Sequence, residues 1–281
     1  MREESRKYSV LMSVYSKVKT EELKISIDSM LRQTVPPEQF VLVEDGPLPG
    51  FLDELIRDYD NSNAGLFTIV KLKENSGLAV ALNEGLSVAR NELVARMDSD
   101  DYSLPTRCEK QLKRFANDEN LILIGTDTAH FIDQIDHRIP MTKTRPHDWE
   151  GIKKTLRRFS PFAHPSVMYK RSAVLACGGY DPILRRRQDY DLFSKMVNGY
   201  NYKAENIPEV LLLFRADRDF LLRNKNWDSC KSRIRVQRRI YKRKECSLYD
   251  YLYVVFSMIA TFILPMSLYE KIYSRTIKNI N

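Results

Sequence analysis

The sequence predicts an α/β fold with a doubly wound, mostly parallel sheet, and two observations carry that expectation. From Tyr8 to Asp98 short β-rich runs alternate with amphipathic helical segments, as in chains that build a parallel sheet covered on both faces. Acidic residues follow directly on the second and fourth runs: Asp45 after "FVLVE", and Asp98, Asp100 and Asp101 in "ARMDSDD". Ligands of such sheets bind beyond the carboxyl ends of the strands, where these acids stand.

The elements follow in order. "YSVLMSV" reads as the first strand, and "TEELKISIDSMLRQT" as a helix with Leu23, Ile27, Met30 and Leu31 on one face. Glu21 and Glu22 favour its first turn, and Pro36 and Pro37 lie beyond its end. "FVLVED" is a second strand, "GFLDELIRDY" a helix, "LFTIVKL" a third strand, "GLAVALNEGLSVAR" a helix and "ELVARM" a fourth strand. Ser103 and Pro105 are expected to open a helix carrying Leu104, Cys108, Leu112 and Phe115. Beyond it the pattern is mixed α+β: a strand at "LILIGTDTAHFID", a helix near "DWEGIKKTLRRF", a strand at "HPSVMYK", then "GGYDPILRRRQDYDLFSKMV".

With 281 residues, 43% apolar and 10% aromatic, the chain suits one compact domain with a distinct tail. The four cysteines are far apart and lack metal-ligand spacing, which points to a reduced, cytosolic chain. The N-terminal stretch has no apolar run, so no secretory signal is expected. The net charge of +8 is concentrated: residues 218–244 hold eleven Lys or Arg against Asp219 and Asp228. The charge-free run Tyr251–Tyr269 follows that segment. A basic helix abutting an apolar one fits an anionic membrane surface, and no nucleic-acid-binding motif accompanies it. Pro265 interrupts the apolar run while Tyr251, Tyr253, Ser257 and Thr261 polarise it. An interfacial or re-entrant helix is therefore expected rather than a span, and a chain ending near Arg215 should stay soluble.

Three acids at one strand end require a positive partner. A dinucleotide fingerprint is missing, because "SVYSKVKTEE" after the first strand contains no glycine. A calcium loop fails because Ser103 stands at its glycine position. An aspartyl phosphatase would place D-x-D at the end of the first strand, not the fourth. D-x-D at the edge of a nucleotide-binding half remains, with a divalent cation bridging the acids to a diphosphate; the plainer alternative is a solvated acidic turn.

Eight segments bear on that choice: "YSVLMSVYSK", "SIDSMLRQT", "FVLVEDG", "NSGLAVALNEGL", "RMDSDDYSLPTR", "HPSVMYKRSAVLACGGYD", "RRQDYDLF" and "NIPEVLLLFR". In their order and spacing the chain resembles family 2 glycosyltransferases of the GT-A fold, from about Tyr8 to Arg215. It is most similar to bacterial enzymes of exopolysaccharide, capsule and O-antigen repeat units, of the amylovoran-biosynthesis type.

The resemblance implies that Ser13 and Tyr15 line a uracil pocket and that Asp45 accepts the uracil N3 proton. It implies that Asn83 either faces the ribose or fills a packing gap, and that Asp98 and Asp100 hold Mn²⁺ or Mg²⁺, Asp100 more directly. Asp101 would support the turn. Asp189 matches the general base, whereas Asp191, two residues on, would point away and serve the helix dipole; Gln188 stands where many relatives have Glu. His164 and Gly178–Asp181 fall where the acceptor enters, although His164 also reads as a satisfied structural histidine. Arg215 and Arg218 could neutralise a diphosphate, and Arg185–Arg187 could steer a pyrophosphate-bearing acceptor.

The implied organisation is a GT-A domain over 1–217, with a nucleotide-sugar half near 8–102 and an acceptor half near 103–217. A membrane-associating tail would occupy 218–281. The implied activity is inverting transfer of a hexose, glucose or galactose, from a UDP-sugar to GlcNAc- or GalNAc-diphospho-undecaprenol. Such transfer gives a β-linkage, β-1,3 as the best match, at the cytoplasmic face of the inner membrane, with peripheral or monotopic attachment. A metal-dependent phosphatase, which would release phosphate without UDP, and a catalytically silent membrane scaffold are the competing readings.

Overall fold

The computed structural model describes residues 7–131, 138–140, 145–215 and 226–265. Arg218 and the end of the apolar run lie outside the described residues. The first half follows the sequence pattern closely: β1 (Tyr8–Val14), α1 (Thr20–Leu31), β2 (Gln39–Glu44), α2 (Gly50–Ser62), β3 (Phe67–Lys71), α3 (Leu78–Val88) and β4 (Leu93–Asp98). These strands pair in parallel in the order β3-β2-β1-β4. Alternate residues of a strand face opposite sides of a sheet. Accordingly Val10 and Met12 pack against Leu23, Ile27 and Met30 of α1, while Leu11 packs against Ala81, Leu82 and Leu86 of α3. Both faces are covered, which is why β1 and β2 read as nearly unbroken apolar runs.

Past β4 the sheet becomes mixed. β5 (Tyr102–Ser103), α4 (Arg107–Asn117), β6 (Leu121–Phe131), β7 (Arg138–Pro140), α5 (Trp149–Leu156), β8 (Met168–Lys170), α6 (Arg171–Ala176), α7 (Gln188–Ser194) and β9 (Lys203–Arg215) follow. The strand order continues β4-β8-β6-β9-β5, with β7 on β6. Of these pairings only β6–β9 is parallel, so the mostly parallel sheet expected from the alternation holds for the first half alone. Ser103 is not a helix cap. Its backbone pairs with Leu212 of β9, its N–H donates to the Ser29 hydroxyl, and α4 begins four residues later. The strand expected at "HPSVMYK" shrinks to three residues, because His164–Ser166 form a 3₁₀ turn around Pro165.

Two helices close the described chain, α8 (Trp227–Lys242) and α9 (Leu248–Ile263). Asn226 caps α8 by accepting from the Ser229 N–H, and Ser247 with Asp250 forms a reciprocal cap on α9. α8 does not stand apart as a tail. Its Val236 and Ile240 are fully buried in the same apolar cluster as Leu82, Tyr190 and Phe193, so packing crosses the boundary drawn at residue 217 from charge. α9 buries Asp250 and Val254 but leaves Tyr249, Phe256 and Ile263 between 66% and 72% exposed. Among the described residues no helix is long and apolar enough to cross a membrane.

Candidate active site

The parallel half sets the site through its register. Ser13 lies beside Asp98, and Val14 beside Glu44, so the residues after β1, β2 and β4 emerge at one edge of the sheet. A cavity of about 390 Å³ opens there. Ser13, Tyr15, Asp45, Asp98 and Asp100 all line it, together with Asn75, Gly77 and Phe214. Its size is that of an ordinary small-molecule site. Tyr15 is 44% exposed, so its ring is not used up in packing on the sheet edge.

Asp45 is buried and already engaged. Its carboxylate accepts from the backbone N–H groups of Ser76 at 2.7 Å and Gly77 at 3.1 Å, and its carbonyl accepts from the Asn75 amide. An ionised carboxylate has about four acceptor positions, so capacity remains for one further N–H. The loop it holds passes through Gly77 at φ +92, and the Arg185 guanidinium lies 2.7 Å from where a Cβ would stand, its Nη1 donating to the Ser76 carbonyl. Glycine is favoured there by the left-handed backbone, while a Cβ would have to displace the tip of the Arg185 side chain.

The acids after β4 differ from one another. Asp98 is ion-paired with Arg96, a fully buried guanidinium one strand pleat below, whose Nε and Nη1 have no hydrogen-bond partner among the described residues. Asp101 is buried and accepts from the Arg215 N–H at 2.8 Å, tying β4 to the end of β9. Asp100 is partly exposed; burial and the neighbouring Asp98 charge push its carboxyl up to about 6. One oxygen from each of the three lies within 4.8 Å of the others. A compact set of hard carboxylate oxygens, two of them from residues on the cavity wall, with one carboxyl raised by burial and by like charge, fits a divalent cation such as Mg²⁺ or Mn²⁺. Arg215 Nε donates to the Asp100 carbonyl at 2.9 Å, and the guanidinium stacks over Phe131 at 4.4 Å, so Arg215 braces the acidic turn from beside the cavity without lining it.

Asp189 and Asn83 do not line this cavity. Asn83 spans Tyr180: its Oδ1 accepts from the Tyr180 N–H at 2.9 Å and its Nδ2 donates to the Tyr180 carbonyl at 2.7 Å. Of its two expected uses, the structure places the side chain in the packing one, holding the "GGYD" turn against α3. His164 is half-buried and shares a 2.9 Å hydrogen bond with the Tyr180 hydroxyl; loss of hydration and the Arg96 charge push its imidazole well below its usual range. It is a neutral, satisfied histidine. Asp189 lies in the first turn of α7 and is partly exposed, and burial raises its carboxyl against the opposing effect of backbone N–H groups, Arg187 and Arg96. Asp191 has no exposure and is ion-paired with Arg243 at 2.8 Å, Arg239 at 3.4 Å and, more distantly, Lys195. It therefore has specific partners, beyond the helix-dipole role expected of it. Gln188 is buried behind the turn.

Sequence reasoning missed Arg96, the Asn75–Gly77 loop and Phe214. "NSG" before a helix was a usable signal for a left-handed turn, and an arginine inside an otherwise apolar strand, "ELVARM", for a buried charge.

A parallel half ordered β3-β2-β1-β4, extended by a mixed half and carrying an acidic triad at the β4 edge, is the architecture of a GT-A-type glycosyltransferase. A mannosyltransferase from Pyrobaculum calidifontis, solved with GDP-Man and Mn²⁺, superposes with a TM-score of 0.61 at 16% identity, over 98% of this chain and 81% of that one. The chain belongs to glycosyltransferase family 2, whose description "Glycosyl transferase family 2" matches residues 9–177. It is 32% identical to the amylovoran biosynthesis glycosyltransferase AmsE of Erwinia amylovora, over 82% of this chain and 84% of the relative. It is 28% identical to the UDP-Gal:alpha-D-GlcNAc-diphosphoundecaprenol beta-1,3-galactosyltransferase of Escherichia coli, over 99% of each chain. It is thus a transferase related to polysaccharide and O-antigen repeat-unit enzymes.

Proposed function

We propose that this protein is an inverting, divalent-metal-dependent hexosyltransferase. It would move glucose or galactose from a UDP-sugar to a polyprenyl-diphosphate-linked GlcNAc or GalNAc, forming a β-linkage, β-1,3 by analogy with the activity for which the Escherichia coli relative is named. The observation that carries the reading is the single cavity wall shared by Ser13, Tyr15, Asp45, Asp98 and Asp100. Tyr15 offers a flat face for the base, Asp45 an acceptor for an imide N–H, and Asp98 and Asp100 the oxygen ligands of the cation. That cation, when bound, supplies the positive charge that stabilises a diphosphate leaving group.

Asp189 takes the proton of the acceptor hydroxyl as that oxygen attacks the anomeric carbon. The new C–O bond forms as the bond to UDP breaks, and the leaving oxygen keeps the electron pair. Arg96 holds Asp98 from below and offsets the mutual repulsion of the acids, so the wall is ordered before substrate arrives.

The exposed apolar side of α9, with the outward cations Arg235, Arg238, Lys242 and Lys244 of the adjoining segment, would rest the enzyme on the cytoplasmic leaflet where a lipid-linked acceptor resides. The test is incubation with UDP-glucose, UDP-galactose, UDP-GlcNAc and UDP-GalNAc and a synthetic GlcNAc- or GalNAc-diphospho-lipid, with mass and linkage analysis. A β-hexosyl product supports the reading; turnover only with a GDP- or dTDP-sugar overturns the donor assignment.

A further inference from the structure

α7 is poorly equipped to order itself. It has seven residues, opens after Arg187 in the left-handed region at φ 62 with no side-chain cap, and runs directly into a π turn at Lys195–Gly199. Helices this short are marginal in water without tertiary support, and a left-handed non-glycine start adds strain. Yet α7 carries Asp189.

Its support comes from α8 and the turn after it, along one face. The Arg187 Nη2 donates to the Ser229 hydroxyl at 3.2 Å. Tyr190 lies under the Arg233 guanidinium at 4.3 Å, and its hydroxyl, which donates to the Leu156 carbonyl of α5 at 2.9 Å, also lies 3.1 Å from the Gln237 Oε1. Asp191 accepts from Arg243 at 2.8 Å and from Arg239 at 3.4 Å, and the Ser194 hydroxyl donates to Glu245 at 2.7 Å. Arg239 also pairs with Asp181 of the "GGYD" turn, and Arg243 with Glu245. Positions 187, 190, 191 and 194 share a helical face, and 189 lies on the opposite one.

We propose that Arg239 and Arg243 are positioning residues for glycosyl transfer: gripping the buried Asp191 carboxylate from behind, they fix the rotation and depth of α7 and thereby aim Asp189 at the acceptor. The inference rests on Asp189 as the base. Two charges beyond the expected catalytic region thus act on the chemistry through one buried acid, and neither touches donor or metal.

The test uses the full chain. Arg239→Met, Arg243→Met and Asp191→Asn are each expected to lower kcat roughly 10- to 100-fold with UDP-galactose or UDP-glucose and GlcNAc-diphospho-lipid, the scale of a misplaced catalytic group. KM for the donor and UDP binding stay unchanged. The double variant Arg243→Met with Asp191→Asn is expected to lose clearly less than the product of the two single losses, since both cut the Arg243–Asp191 link although each also cuts a second one, to Glu245 or to Arg239, and Arg243→Lys to recover part of the rate. Ile240→Val, which loosens α8 without touching the charges, sets the effect of destabilisation alone. Independently of turnover, hydrogen exchange of 188–194 is expected to rise in Arg243→Met while that of 98–101 does not. Additive losses, an unchanged α7 exchange rate, or an equal kcat loss in Ile240→Val would overturn the proposal. Full activity in Asp189→Asn would instead refute the base assignment, a separate result.

Discussion

Ending the chain after Arg215 should unfold the protein, and the packing gives the scale. The cut removes α8, whose Val236 and Ile240 are fully buried in the main apolar cluster. Burying an aliphatic side chain is worth about 1.5–3 kcal/mol, and a comparable apolar area would be uncovered on the body, so the loss is about 6–12 kcal/mol. Asp191 adds little, since the same cut lets water reach it. Domains of this kind are stable by only about 5–15 kcal/mol, so the loss consumes most or all of that margin. Ending after Ser247 is different. It removes α9, of whose aliphatic side chains only Val254 is fully buried, and the pairs Asp250 makes with the partly exposed Arg157 and Arg158. The same reckoning gives about 3–6 kcal/mol for the valine, and the solvent-screened pairs add little. Thermal unfolding followed by circular dichroism should show a cooperative but lower transition for 1–247 and none for 1–215. A cooperative 1–215 melting within about 5 °C of the full chain would refute the claim that α8 belongs to the core.

Asp189→Asn should keep UDP binding and lose at least ~10²-fold in kcat, because a general base contributes about 10²–10⁴. Burial raises the Asp189 carboxyl, and a base works deprotonated, so kcat/KM should fall as pH drops through a value above the ordinary ~3.9 of Asp; an acid limb at or below 3.9 would contradict this. Chelation should abolish transfer, with Mn²⁺ or Mg²⁺ restoring it to the natural protein but not to Asp100→Ala; full activity in chelator would remove the metal from the proposal. Flotation with anionic phosphatidylglycerol vesicles should capture the full chain, less at high salt, and the double change Phe256→Glu with Ile263→Glu should release it without lowering Tm, since both side chains are exposed. Undiminished capture of that variant would place the membrane contact elsewhere.

The parallel half was legible because its elements obey local rules. Leu23, Ile27 and Met30 recur at helical spacing on α1 and meet the β1 side chains as the periodicity requires. Ser103 was misread because the competing choice is non-local: Leu212, over a hundred residues away, offers its backbone a strand partner. α8 was read as a solvated, membrane-facing helix because its buried face includes Arg233 and Gln237 beside Val236 and Ile240, and charge alone does not reveal that an arginine has an internal partner. The D-x-D segment and Asp45 stood out as acids at strand ends. Arg96 did not, because only the folded arrangement shows which carboxylate it meets.

The contact between Arg185 and the loop at Gly77 bears on how the cleft works over a cycle. One long, exposed side chain reaches from the segment that leads into α7 to the loop that Asp45 anchors, and it does so through a single bond to a carbonyl. A solvent-accessible bond of this kind is worth about 1 kcal/mol or less, so it breaks and re-forms freely in water. On the proposed function the latch would open for incoming donor and departing nucleotide while the sheet, its register and the acids of β4 stay fixed. A side chain in place of Gly77 would strain the left-handed backbone and push the Arg185 tip away, leaving the latch unfastened.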